Sequence, residues 1–459
     1  MIRKLIAKHL GFPLQDHFKK TSIVSTLKSL KESAFWSEKQ MEEYRLLKLQ
    51  KLVQHAYDHV PYYTALFNRH HILPSDIQQL KDISKIPILT KELARENQDK
   101  LVSRQKLFEP INKGKTGGTT GVPLVVYSDT NNRSFTWASY YRWYNWIGLN
   151  KEDAVLSLWG SKTILKPTLK KKYTGLAIDW IQNNKTLNTY NINEDTLPKV
   201  YQTMQKFNPV LIKGYLSAII LIGKYMQKNN LPPNTALKAL SSTTETLLPM
   251  YRTFLQEVFK VPIYDQYGCG EVSAISYECK KHKGLHINEE HVYIETLNDY
   301  NDITFNESGR LITTSLDNYI MPFIRYENGD MATLLTEKCS CGLNSALMNN
   351  IDGRTVDTIA LKNGAKAHGV FFTSLLYEVG ITTDLISRFQ ITQHPSKAID
   401  FRIESQEKID QTLIENLKKE VLQFVHQVNI SIVAYIPNEP NGKFKYIKQH
   451  SSKKKELLT

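Results

Sequence analysis

Five short segments combine glycine, hydroxyl, carboxylate and cationic side chains in patterns suited to an anionic ligand. The first is Lys115-Thr116-Gly117-Gly118-Thr119-Thr120-Gly121. Glycines let the backbone approach an anion and present successive N–H groups, while the threonine hydroxyls and Lys115 add donors and charge. This is a way to grip a polyphosphate, although the GxxxxGK[ST] loop is absent. The second, Tyr264-Asp265-Gln266-Tyr267-Gly268-Cys269-Gly270-Glu271, carries a strand into a glycine-flanked turn ending on a carboxylate. Turns at strand C-termini are where open α/β sheets bind ligands, and Glu271 there can hold Mg²⁺ beside a phosphate. In the third, Arg325-Tyr326-Glu327-Asn328-Gly329-Asp330, the aspartate can accept two hydroxyl hydrogen bonds from a ribose. The fourth, Asp352-Gly353-Arg354-Thr355-Val356-Asp357, sits where the composition changes, and the fifth, Pro440-Asn441-Gly442-Lys443-Phe444-Lys445, presents a lysine. Each has a plainer reading alone: a Gly/Thr-rich surface turn, a helix-capping glutamate, a type I′ hairpin at Asn328-Gly329.

The elements that must position these segments follow from periodicity. Leu46, Leu49, Leu52, Val53, Ala56 and Val60 recur at helical steps until Pro61, so residues 40–70 read as helix stopped by that proline. Ser75 and Thr90 are suited to N-caps. Residues 131–148 predict an aromatic helix carrying Trp137, Tyr140, Tyr141, Trp143, Tyr144 and Trp146. At helical spacing such a stripe is usually core, and the alternative is the wall of an acyl pocket. From 155 to 267 short apolar runs alternate with helical segments, which predicts βαβ units and a mainly parallel sheet. Strands dominate after 284, and residues 358–450 read as a small α+β unit. The expected fold class is therefore α/β, with a large domain over 1–353 and a small C-terminal domain over 354–459.

The chain has 459 residues, ample apolar content for a core, and a formal net charge of +14. That excess suits an anionic partner. The basic residues are dispersed and accompany no zinc-finger or RNA-recognition signature, so nucleic acid is not expected. No apolar run spans a bilayer. The start, MIRKLIAKHLGFPL, is too charged for a secretory segment, and a cytoplasmic protein is expected. Ile2, Leu5, Ile6 and Leu10 with Arg3, Lys4 and Lys8 form a short basic amphipathic helix. It either packs on the domain or touches a membrane or membrane-bound glycan machinery. Four cysteines, Cys269, Cys279, Cys339 and Cys341, are too few for a disulfide scaffold and favour metal ligation in a reducing compartment.

Taken in order, the five segments resemble the adenylate-forming (acyl-AMP synthetase) superfamily, most closely its phenylacetate–CoA ligase-like and capsular-polysaccharide branch. HAYDHVPYYTALF, LKDISKIPILTKEL and WASYYRWYNWIGL extend the resemblance over nearly the whole chain. It implies a phosphate-cradling loop at Thr116, Gly117, Gly118, Thr119, Thr120 and Gly121, where Gly117 replaces the family's usual hydroxyl residue. It implies that Thr244, Glu245 and Thr246 border the adenine, that Tyr267 and Gly268 meet its ring, and that Glu271 carries Mg²⁺; Gly270 stands where the family often has threonine. It further implies a ribose-binding Asp330, a nucleotide-reaching Arg354, a hinge at Asp357 and a catalytic Lys443.

Cys279 with His286, and Cys339 with Cys341, can build a tetrahedral Cys₃His structural zinc site, as part of that branch has. His282 offers an alternative spacing. The plainer reading is a small buried Cys279 and surface histidines; Cys269 belongs to the nucleotide turn. The implied activity is ATP-dependent formation of an acyl-adenylate from a small-molecule carboxylate. Transfer would follow to coenzyme A or to an amine such as an amino sugar, in cell-surface polysaccharide synthesis. The other reading is an inactive relative that binds or scaffolds.

Overall fold

The computed structural model describes residues 2–105, 111–115, 124–160, 169–349, 351, 353–354, 358–364, 366–439 and 444–449. Its centre is a nine-stranded sheet. Five strands are parallel, in the order Asn184–Asn188, Val155–Trp159, Leu211–Tyr215, Ala239–Thr243 and Ile263–Tyr267. Helices link several of them, as crossovers between parallel neighbours usually do. Beyond Ile263–Tyr267 the sheet turns antiparallel through Ser276–Glu278, Leu285–Ile287, Leu347–Met348 and Leu334–Leu335. A second sheet joins Leu89–Thr90, Tyr326–Ala332, Gly309–Ser315 and Val292–Leu297, with Gly353–Arg354 pairing beside Tyr326–Ala332. The C-terminal part is a four-stranded sheet, Val428–Val433, Ile399–Glu404, Arg388–Gln393 and Ile447–Gln449, with helix Gln411–Phe424.

The faces of the central sheet differ. Ile212, Leu240 and Ile263 pack with helices Leu216–Lys228 and Pro249–Phe259, and this cluster runs on into Phe372, Phe389, Phe401 and Leu417 of the C-terminal part. Leu211, Ala239 and Tyr264 pack on the opposite side with the aromatic helix, Thr130–Trp146. Asp129 caps that helix through the Asn132 N–H at 2.7 Å. Trp143 and Tyr144 are buried, while Trp137, Tyr140 and Trp146 are only half-buried.

Several local expectations are corrected. Pro61 ends one helix, Glu38–His59, and also opens the next, Pro61–His70, because a proline at the first helical position lacks only an N–H that has no partner there. Thr90 does cap Lys91–Glu96, accepting from the Leu93 N–H at 3.2 Å, but Ser75 lies inside the 3₁₀ turn Pro74–Asp76. Asn328-Gly329 is no hairpin turn: both residues lie within strand Tyr326–Ala332, where Gly329 has φ 87° opposite a register shift between Arg310 and Ile312. Asn328, Gly329 and Asp330 there stand opposite Leu311 alone, and a bulge of this kind needs a conformation that glycine adopts without strain. The turn after Tyr267 leads to an antiparallel strand rather than a helix, so Glu271 caps no helix.

Candidate nucleotide site and cysteine–histidine cluster

The C-terminal ends of the parallel strands gather the first group. Tyr267 closes strand Ile263–Tyr267, and its Oη donates to Asp330 Oδ2 at 2.6 Å. Asn328 Nδ2 donates to Tyr267 Oη at 2.6 Å and to Asp330 Oδ2 at 3.2 Å, and the Asp330 N–H returns a bond to Asn328 Oδ1 at 2.9 Å. Burial, reinforced by the neighbouring carboxylate, pushes the Tyr267 phenol well above its ordinary pKa, so it stays a donor. Asp330 pairs backbone to backbone with Arg354, which places the fourth segment beside the third.

Glu271 is buried beside this triad. Tyr326 Oη donates to its Oε1 at 2.8 Å, and Lys91 Nζ stands 3.2 Å from the same oxygen. Sequence reasoning did not single out Lys91. The only local signal is its place just after strand Leu89–Thr90, which pairs with Tyr326-Glu327. Cys269 has its thiol pushed up to about 12, chiefly by burial and then by Glu271, so it is a neutral wall residue.

The strand before supplies Thr244, Glu245 and Thr246, all half-buried. Thr244 has φ 73° and a buried hydroxyl with no hydrogen-bond partner. A β-branched residue in the left-handed region is strained, and such strain gathers at ligand sites. The orphaned hydroxyl is a group a nucleotide can satisfy. Glu245 accepts from the Ser217 N–H at 2.6 Å, from Ser217 Oγ at 2.9 Å and from the Phe444 N–H at 3.3 Å. The residue following Lys443 is thereby tied to the turn that borders the triad. Thr116 to Gly121, Asp357 and Lys443 lie outside the described residues, as does the side chain of Arg354. The strands that flank the glycine-rich loop, Asn112–Lys115 and Val125–Ser128, pair with each other.

The second group hangs from the antiparallel strands. The ligand atoms of Cys279, His286, Cys339 and Cys341 all lie within 4.8 Å of one another. Cys279 Sγ and Cys339 Sγ are 3.6 Å apart, and Cys341 Sγ is 3.3 Å from His286 Nε2. Ligands held about 2.0–2.3 Å from a tetrahedral zinc are separated by distances of this size. His286 keeps Nε2 for the cluster because Nδ1 bonds Ser345 Oγ at 2.9 Å, and burial lowers its pKa to about 4, so the ring is neutral. His282 is elsewhere: Nδ1 lies 3.0 Å from Glu278 Oε1, and the ring stacks on Tyr264. The donor set and its closure by protein fit a structural zinc.

No protein-family model matches the chain. It is 24% identical over 372 residues to protein CapK of Staphylococcus aureus, covering 80% of each chain. It is 26% identical over 334 residues to a phenylacetate-coenzyme A ligase of Aromatoleum evansii, covering 70% of this chain and 72% of that one. Among solved structures, 2-hydroxyisobutyryl-CoA ligase in its postadenylation state superposes with a TM-score of 0.74 at 18% identity, covering 91% of each chain. The chain is thus similar in sequence to CapK and to a phenylacetate-coenzyme A ligase, and it shares its fold with a solved acyl-CoA ligase, a likeness that supports the phenylacetate–CoA ligase-like branch of the adenylate-forming superfamily.

Proposed function

We propose that the protein activates a carboxylate with ATP, forming an acyl-adenylate and pyrophosphate, and then transfers the acyl group to a thiol, with coenzyme A as the leading acceptor. The observation that carries this reading is the Tyr267–Asn328–Asp330 triad beside buried Glu271 at the strand ends. Asp330 offers carboxylate oxygens to ribose hydroxyls, and the Tyr267 ring offers a face to adenine. A carboxylate attacking the α-phosphorus brings two anions together, and charge gathers on the phosphoryl oxygens as pyrophosphate leaves. Preorganised cations lower that barrier. Lys91 is one such cation, and Lys443 is assigned the same role from the C-terminal lid. Glu271 would hold Mg²⁺, which binds through one or two carboxylates plus substrate phosphates; the ion supplies further charge offset.

Residues from 354 onward act in this reading as a mobile lid with its hinge at Asp357, which brings Lys443 in for adenylation and then withdraws it. The Cys279, His286, Cys339 and Cys341 cluster holds a structural zinc, in which case purified protein carries one equivalent. The test of the main reading is carboxylate-dependent pyrophosphate release over an acid panel, with and without coenzyme A and amino sugars. Release that needs an amino sugar would move the acceptor to an amine and favour polysaccharide synthesis. No release with any acid would leave a binding or scaffolding relative.

A second observation bears on location. Among the described residues no helix is long and apolar enough to cross a membrane. Leu10 is 57% exposed and Phe18 77% exposed on the N-terminal helices, and Leu176 and Trp180 are exposed on helix Leu169–Ile181. Lys8, Lys19 and Lys20 belong to the same N-terminal segment as Leu10 and Phe18. Exposed apolar residues beside lysines in one segment suit peripheral contact with an anionic lipid surface, which co-sedimentation with phosphatidylglycerol vesicles checks.

A further inference from the structure

Lys213 lies on strand Leu211–Tyr215 with its side chain towards the aromatic helix. Leu211, two residues earlier, packs in the same cluster as Trp143 and Tyr144, whereas Ile212 packs on the other face. Lys213 Nζ donates to Tyr144 Oη at 2.8 Å. It stands 5.9 Å from the ring centroid of Trp137 and 5.5 Å from those of Tyr140 and Tyr144. These residues follow at i, i+3 and i+7, one face of the helix.

This cation differs from its buried counterparts. Arg142 pairs with Glu290, Arg325 with Glu295 and Lys48 with Asp317. Among the described residues no carboxylate pairs with Lys213. Burial lowers its pKa, with only Tyr140 opposing. Aromatic rings stabilise an ammonium by about 2 kcal/mol when desolvated, which does not replace a counter-ion. Nor is the group sealed in core: Lys213, Trp137 and Tyr140 are each only half-buried.

The register fixes where Lys213 lies relative to the nucleotide turn. Lys213 pairs with Ser241, and Ser241 with Tyr264; Tyr267 is three residues further along its strand. At about 3.3 Å per residue, Lys213 lies roughly 10 Å below the turn that follows Tyr267, on the sheet face it shares with Tyr264 and Gln266. The wall between is polar: Gln266 Nε2 donates to Ser241 Oγ at 2.9 Å, and Gln266 Oε1 is buried with no partner.

We propose that Lys213 is a specificity-determining residue at the far end of the acyl subsite, and that it selects carboxylic acids bearing a second anionic group. This rests on the ligase reading, and it names the substrate class for that same site. An acid activated beside Tyr267 and running down this face brings its far end to the Lys213 ammonium. A neutral tail leaves the cation unpaired, and discrimination of this kind exceeds what apolar fit provides.

The experiment compares matched acids, hexanoate with adipate and phenylacetate with 4-carboxyphenylacetate, on the full chain and on Lys213→Met and Lys213→Arg. Calorimetry reads binding and pyrophosphate release reads turnover. The expected result is at least a tenfold lower Kd and KM for the anionic member. Lys213→Met erases that preference at unchanged KM for ATP, and Lys213→Arg keeps part of it. Equal binding of both members by the wild type, or a preference that survives in Lys213→Met, overturns the proposal. Pyrophosphate release that ignores both the second charge and Lys213 overturns it while leaving the ligase reading intact. Lys213-dependent binding without pyrophosphate release overturns the ligase reading and leaves the anion subsite. Absence of both binding and release overturns both.

Discussion

Two regions that hang from neighbouring strands of the same sheet are built in opposite ways. In the cysteine–histidine cluster four ligand atoms already converge within 4.8 Å, with Ser345 orienting the imidazole. Around Tyr267 the polar groups instead satisfy one another, Tyr267 with Asp330 and Glu271 with Tyr326 and Lys91, and Thr244 keeps an unmet hydroxyl. A closed site serves the fold, because its geometry gains nothing from rearrangement. An open one serves chemistry, because its internal bonds are ones a ligand can replace. The prediction is a clean division: damage to the first appears as lost stability, damage to the second as lost rate.

The largest effect expected on the open side is that of Lys443→Ala. It should cut carboxylate-dependent pyrophosphate exchange about 10³-fold, a barrier increase of about 4 kcal/mol, while ATP binding survives. Unchanged exchange in that variant would refute the lysine assignment. On the closed side, Cys279→Ser should drop bound zinc well below one equivalent and lower unfolding free energy on the order of 3 kcal/mol, read by denaturant titration. A variant with wild-type stability would break the comparison, as would wild-type protein holding no metal. Glu271→Gln should lower the adenylation rate by about 10² at a near-constant melting temperature. A large loss of stability there would show that the Lys91 pair supports the fold. The smallest effect is that of Tyr267→Phe, which removes the hydroxyl from Asp330 and keeps the ring. About 1 kcal/mol, or a five- to tenfold rise in KM for ATP, should follow.

What the sequence made legible was local. Glu271, Tyr267 and Asp330 announce themselves because glycines and carboxylates sit together within a few residues. The cysteine and histidine pairs do so for the same reason, though spacing alone left His282 and His286 equivalent until Glu278 and Tyr264 engaged the former. Lys91, Lys213 and the Arg142–Glu290 pair were not legible, since each depends on partners brought in by strand register or helix packing. Asn328-Gly329 was misleading, because the strong local preference of that dipeptide for a turn yields where neighbours pair on both sides of the strand. The fold class followed from the alternation between 155 and 267, while the antiparallel half of the sheet did not, because its strands are only two or three residues long.

The apolar cluster that joins helix Pro249–Phe259 to Phe372 and Leu376 has a thermal consequence. In the proposed lid rotation, hydrocarbon on that surface would meet water before any new contact forms. Hydrating apolar surface raises heat capacity. The rotating step should therefore carry a positive activation heat capacity, and its Eyring plot should curve upwards, whereas adenylation with the lid in place should stay close to linear. Temperature alone would then tell the two half-reactions apart.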